Sequence, residues 1–117
     1  ISNSIKETLC DKELQWIFDD STKDSRSEFS ISINQSGIIR TYIIDRTFID
    51  DNNTRWIIDY KTGTTVSENE ADFIQTQSRL HRGQLIYYKN LFSKLESKKT
   101  RIALLFTAIP KLVEIQE

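Results

Sequence analysis

Apolar positions along the chain follow two periods. After Ser4-Ile5-Lys6-Glu7, whose S-x-x-E form is that of a capping box, Leu9, Cys10, Leu14, Ile17 and Phe18 recur at helical spacing. This predicts a first helix of about four turns. The polar run Asp19 to Ser27 reads as a loop. Phe29, Ile31 and Ile33 then alternate with serines and Asn34, the pattern of a half-buried strand, and Gln35-Ser36-Gly37 supplies a turn. A second strand is expected from Ile38 to Ile49 and a third from Arg55 to Lys61, separated by Asp50-Asp51-Asn52-Asn53-Thr54. Together the three make an antiparallel meander.

Ser67-Glu68-Asn69-Glu70 repeats the capping-box form. It opens a second helix with Phe73, Gln77, Leu80, Gln84, Tyr88, Leu91 and Leu95 on one stripe, ended by Lys98-Lys99. Arg101 to Thr107 is an apolar run of the kind found in a central strand buried on both faces, and Pro110 breaks the chain before a short strand at Leu112 to Ile115. The predicted order is α-β-β-β-α-β-β: one α/β domain over residues 1–117, a sandwich built on a mixed β-sheet flanked by helices.

Composition narrows the class without naming a function. With 38% apolar and 28% charged residues, three Gly and one Pro, the chain has the make-up of an ordinary globular domain. It has no apolar run long enough to span a membrane. A net charge of −1 excludes a global field that would draw nucleic acid, so any such partner must be argued from a site. The one cysteine, Cys10, leaves no disulfide within the chain and no cysteine-based zinc site; it reads as a small buried residue in a protein of a reducing, cytoplasmic compartment. The chain opens at Ile1 without Met, so a fragment of a longer protein is expected, with parts of its site upstream.

Chemistry concentrates in "RWIIDYKTG", Arg55 to Gly63, where Asp59 and Lys61 sit two apart and so share a strand face. If the turn before it is centred on Asn52, Asp45 of "YIIDRTF" lies equidistant on the other side and faces Asp59, with Cβ atoms roughly 4.5–5.5 Å apart. A one-residue slip would send Asp45 to the opposite face. Two adjacent carboxylates repel unless a cation joins them. Mg²⁺ takes oxygen ligands and keeps several waters, so two aspartates and the Tyr60 carbonyl would suit it. The alternative is a solvated network in which Lys61 and Arg46 neutralise the pair. On the second helix, Gln84 and Tyr88 are expected to point inward. Gln84 serves either as a core amide or as a ligand contact, and Gly83 would permit close approach of a backbone or ligand.

Taken in order, "IIDRTFIDDNNTRWIIDYKTG" and "HRGQLIYYKNLF" resemble the nuclease domain of RecB- and AddA/AddB-type helicase-nucleases, within the PD-(D/E)XK, restriction-endonuclease-like superfamily. The likeness is to the C-terminal part of UvrD/Rep-like helicases of the exonuclease V beta type, and it spans about Trp16 to Ile115. It rests on Asp45, on Asp59 to Lys61, on the Q-x-x-x-Y pair Gln84 and Tyr88, and more weakly on the segment around Glu28. The resemblance implies a restriction-endonuclease-like fold, Mg²⁺ or Mn²⁺ on Asp45 and Asp59 with the Tyr60 carbonyl, Lys61 assisting the attacking water, and Gln84 and Tyr88 near the site and the DNA.

Two positions depart from that pattern. Tyr42 stands where such nucleases usually have glycine. Their upstream helix histidine has no counterpart here; the single histidine, His81, lies in the second helix between Arg79 and Arg82, where a surface position or a phosphate contact is expected. Glu7 and Glu13 are poor substitutes.

The expected function is Mg²⁺-dependent phosphodiester hydrolysis of DNA by the nuclease module of an ATP-dependent helicase-nuclease acting in recombination and repair. Its partners would be DNA, the helicase portion of the parent chain and further subunits of the complex. Arg79, Arg82, Lys89, Lys98, Lys99 and Arg101 could contact phosphates, although such charges are usually a solvated face. The rival expectations are a catalytically degenerate nuclease fold kept for DNA binding or for docking to the helicase, and an unrelated α/β domain carrying a surface ion network.

Overall fold

The computed structural model describes residues 14–19, 22–61 and 69–116. The first capping box, Glu7, Cys10, Glu13, most of the expected first helix, and Ser67 lie outside them. A short 3-10 turn, Gln15–Phe18, precedes β1 (Lys23–Gln35), β2 (Ile38–Ile49), β3 (Arg55–Lys61), the helix α1 (Glu70–Leu95), β4 (Thr100–Phe106) and β5 (Lys111–Ile115). The strands form one mixed sheet in the order β1-β2-β3-β4-β5. All neighbours are antiparallel except β3 and β4, whose parallel pairing requires the crossover that α1 provides.

The sheet separates two cores. Ile57 of β3 and Ile102, Leu104 and Phe106 of β4 face α1 and pack on its Phe73, Leu85, Tyr88 and Phe92. Trp56, Ile58, Ala103 and Leu105 face the other way and meet Leu14 and Ile17. Both faces of β3 and β4 are therefore covered, which is why these strands read as continuous apolar runs. Burying a side chain such as Leu85 or Phe92 contributes about 1.5–3 kcal/mol.

Arg55 locks the end of α1 to the sheet. Its guanidinium, itself buried, donates to both Glu96 carboxylate oxygens at 3.0 Å and to Asp24 at 2.7 Å, and lies over the Phe92 ring. Arg46 does the same for the opposite layer, donating from Nε to the Ile17 carbonyl at 2.8 Å and from its terminal nitrogens to Ser27 and the Asp19 carbonyl.

The structure corrects four expectations. Residues 23–27 are not loop but the start of β1. This first half of the edge strand is polar on both faces and irregular, with left-handed backbone at Asp24 and Glu28, so no alternation marks it. The N-cap of α1 is Asn69, whose side chain accepts the Asp72 amide, two residues later than a cap at Ser67.

The buried stripe of α1 runs through Phe73, Leu85, Tyr88 and Phe92, leaving Leu80 68% and Leu95 77% exposed. The expected stripe is one residue out of phase over much of the helix, because two apolar sets with helical spacing lie side by side and the sheet selects one. Gln84 accordingly faces solvent. Gly83 is also exposed, and among the described residues a Cβ there would meet nothing within 4 Å, so no described backbone approaches it.

Candidate active site

The turn joining β2 and β3 fixes everything downstream of it. Asp50 Oδ1 accepts the amides of Asn52 and Thr54, and Asn53 takes the left-handed conformation that closes the loop. Pairing then runs Ile49↔Arg55, Phe48↔Trp56, Thr47↔Ile57 and Arg46↔Ile58, symmetric about Asn52 as the count predicts.

After Arg46 the ladder opens. The next donor from β3, the Tyr60 N–H, is received at 2.8 Å by the Asp45 carboxylate in place of a backbone carbonyl. Because a strand residue points its N–H and C=O toward the same neighbour, the Tyr60 carbonyl also faces the opening, whereas the Lys61 carbonyl is held by the Thr107 amide of the β4 side.

The pleat is broken at the same place. Ile44 joins the core under α1, yet Arg46, two residues on, serves the opposite layer. Across the ladder, Ser27↔Arg46 and Phe29↔Ile44 bracket Glu28, whose φ of 52° is the left-handed region. This irregularity turns Asp45 toward Asp59 and lies opposite Glu28, the residue of weakest resemblance. A non-glycine residue held there stores strain of order 1–3 kcal/mol.

The resulting cluster is short of positive charge. Lys61 Nζ lies 3.0 Å from Asp59 Oδ2, each side chain being 20% exposed. Burial, and then the neighbouring Asp59 carboxyl, push Asp45 up to about 6; the Tyr60 amide and Lys61 offset this only in part. Asp45 thus faces a second carboxyl with Lys61 beside the pair.

From above, α1 contributes Tyr88, whose phenol is raised by burial and then by the fields of Asp59 and Asp45. Tyr42 packs edge-on against Tyr88 with ring centroids 5.9 Å apart. Gln35 donates to the hydroxyl of Tyr87 at 2.6 Å and to that of Tyr42 at 3.4 Å, so the distal β1–β2 hairpin is fastened to α1 beside the carboxylates.

The structure thus brings together Asp45, Asp59, Lys61, the Tyr60 backbone and Tyr88. It does not bring Gln84, which faces solvent. Arg79 and Arg82 flank a groove of about 310 Å³ between α1 and β5, where Arg82 Nε donates to the Gln116 carbonyl. Lys89 acts on Glu114 of β5. Cavities of about 330 Å³ open at the other end of β2, around Trp16, Asp19, Asp50 and Asp51, away from the carboxylate pair.

His81, for which the sequence predicts a surface position or a phosphate contact, is half-buried on α1; burial and then the Lys61 charge hold it below the ordinary histidine range, and Asp59 acts in the opposite direction.

The donor set fits a hard, partly hydrated divalent ion: two carboxylates, a backbone carbonyl on the same edge and a raised Asp45 seeking positive charge. Among the described residues no group of three or more His, Cys, Asp or Glu side chains converges to enclose a metal, so water and substrate oxygens would complete the shell. No helix among the described residues is long and apolar enough to cross a membrane. No protein-family model matches the chain, and no curated protein is a significant match to it.

Proposed function

We propose that this chain is the Mg²⁺- or Mn²⁺-dependent DNA nuclease module of an ATP-dependent helicase-nuclease acting in recombination and repair, built on a restriction-endonuclease-like frame. The observation that carries the reading is the Asp45–Asp59 carboxylate pair, held where the β2–β3 ladder opens and joined to Lys61.

Asp45, Asp59 and the Tyr60 carbonyl would hold the ion, whose chemistry when bound is Lewis-acid polarisation of a phosphoryl oxygen and a water. The Lys61 ammonium, fixed by Asp59, faces the same opening and stabilises negative charge developing on a phosphoryl oxygen. Tyr88 walls the site on the α1 side. A degenerate module that binds DNA or docks on the helicase is the second reading. It is favoured by the lack of a third enclosing ligand among the described residues and by the outward Gln84.

The test is degradation of linear DNA by the full-length protein in Mg²⁺, with and without Lys61→Ala. Nuclease chemistry predicts a loss of at least about 100-fold, the scale of removing one electrostatic donor. Wild-type protein inert toward DNA would leave the degenerate module, and equal rates would remove Lys61 from the mechanism. The 117-residue chain alone is expected to cleave weakly or not at all.

A further inference from the structure

We propose that the groove between α1 and the outer edge of β5 is a docking site for an extended acidic segment of a partner protein, which adds to the sheet as a further strand. Nuclease chemistry is not required for it. Three features meet there: an open strand edge, a groove along it and two cations on the groove's wall.

β5 ends the sheet, so the N–H and C=O groups on its outer side face no strand among the described residues. The opposite edge, β1, is irregular, with a register shift and left-handed backbone at Asp24 and Glu28. β5 pairs with β4 without a break from Lys111 to Ile115, which leaves its outer side a regular template for a strand. In such strand addition main-chain hydrogen bonds give affinity, and pockets for alternate side chains give selectivity.

The groove, of about 310 Å³, lies along this edge. Val113 and Ile115 form its floor and belong to the core under α1. Glu114 points the other way: Arg101 Nε donates to its carboxylate at 2.8 Å, and the same guanidinium lies over Trp56 of the opposite core. Glu114 therefore lines the groove with its main chain, and an occupant resting on Val113 and Ile115 is brought against the β5 edge.

The charge comes from α1. Arg79 and Arg82 are exposed on the wall, and the Ser78 hydroxyl is buried there with no hydrogen-bond partner among the described residues. Arg82 commits Nε to the Gln116 carbonyl at 3.0 Å, which fixes its guanidinium over the end of β5. Two guanidiniums above an apolar floor match an apolar side chain flanked by carboxylates. A nucleic-acid backbone matches less of the groove, because phosphates draw on the arginines alone and leave the apolar floor and the strand edge unused.

The probe is a fluorescein-labelled peptide, Thr-Asp-Thr-Val-Thr-Asp-Thr, whose aspartates and valine share one face when extended. The 117-residue chain should bind it, and both Arg79→Glu and exchange of the peptide's aspartates for lysine should weaken binding by about 10-fold or more. Alternate N–H groups of an added strand face its neighbour. Of two peptides N-methylated at alternate residues, one should therefore lose binding and the other keep it, and the amide NMR signals of residues 113–116 should shift with the peptide that binds.

Absence of binding at about 1 mM peptide would overturn the proposal. So would unchanged affinity in Arg79→Glu, or two methylated peptides that behave alike. A thymidine dodecamer that displaces the peptide and binds more tightly would also overturn it and give the groove to nucleic acid. None of these outcomes bears on DNA cleavage at the carboxylate pair.

Discussion

Two half-buried aspartates bound the β2 stretch paired to β3, Asp50 just past the strand's end at the turn and Asp45 five residues back where the ladder opens; both accept backbone amides, and they behave in opposite ways. At the turn, burial works against the Asp50 carboxylate, but Trp56 Nε1–H and the amides of Thr54 and Asn52 outweigh it and hold Asp50 below the ordinary carboxylate range. At the opening, Asp45 has one amide, from Tyr60, and faces a second carboxyl, so it rises to about 6. Asp50 is a structural anion whose lone pairs the fold has satisfied. Asp45 accepts fewer amides and sits where the ladder is open. Under the proposed function, the first is a turn-closing carboxylate and the second would be a cation ligand.

Stability variants can break this contrast. The larger effect is expected from Asp50→Ala, which strands two amides and the Trp56 N–H and should cost about 2 kcal/mol by urea denaturation. Because the folded Asp50 is lowered, its contribution is present above the unfolded value and lost as pH falls through the folded one. The penalty should therefore shrink in acid.

Asp45→Asn should act in the other direction. A raised carboxyl favours the folded state below the unfolded value and is lost as pH rises from about 4 through about 6, so without divalent ions the variant should be about 1 kcal/mol more stable than wild type at pH 8. That gain should vanish at pH 4. If Asp45→Asn destabilises at both pH values, Asp45 is a structural residue like Asp50 and the contrast fails.

The sequence made the sheet more legible than the helix. The β2–β3 register followed from one turn, because a polar five-residue run between two apolar strands admits few closures, and Asp45 could be set beside Asp59 by counting from Asn52. The inward face of α1 could not be read so directly. Leu80 and Leu95 compete with Leu85 and Phe92 at equal helical spacing, and only the packed sheet chooses between them.

That phase error carried Gln84 inward. Edge strand β1 was half missed for a related reason: with no face buried over residues 23–28, its sequence carries no alternation. The broken pleat between Ile44 and Arg46 has no sequence signature, since it depends on Glu28 of the neighbouring strand.

The central claim is that Asp45 and Asp59 form a divalent-cation site at the ladder's opening. Paramagnetic broadening by Mn²⁺ tests it most directly, read at the Tyr60 amide that Asp45 holds. Sub-stoichiometric Mn²⁺ at pH 7.5 should erase the Tyr60 amide signal of the wild-type chain, with excess Mg²⁺ restoring it, and should leave that signal intact in the Asp45→Asn, Asp59→Asn double variant. Broadening that survives in the double variant, or a wild-type Tyr60 amide untouched by Mn²⁺, would contradict the account.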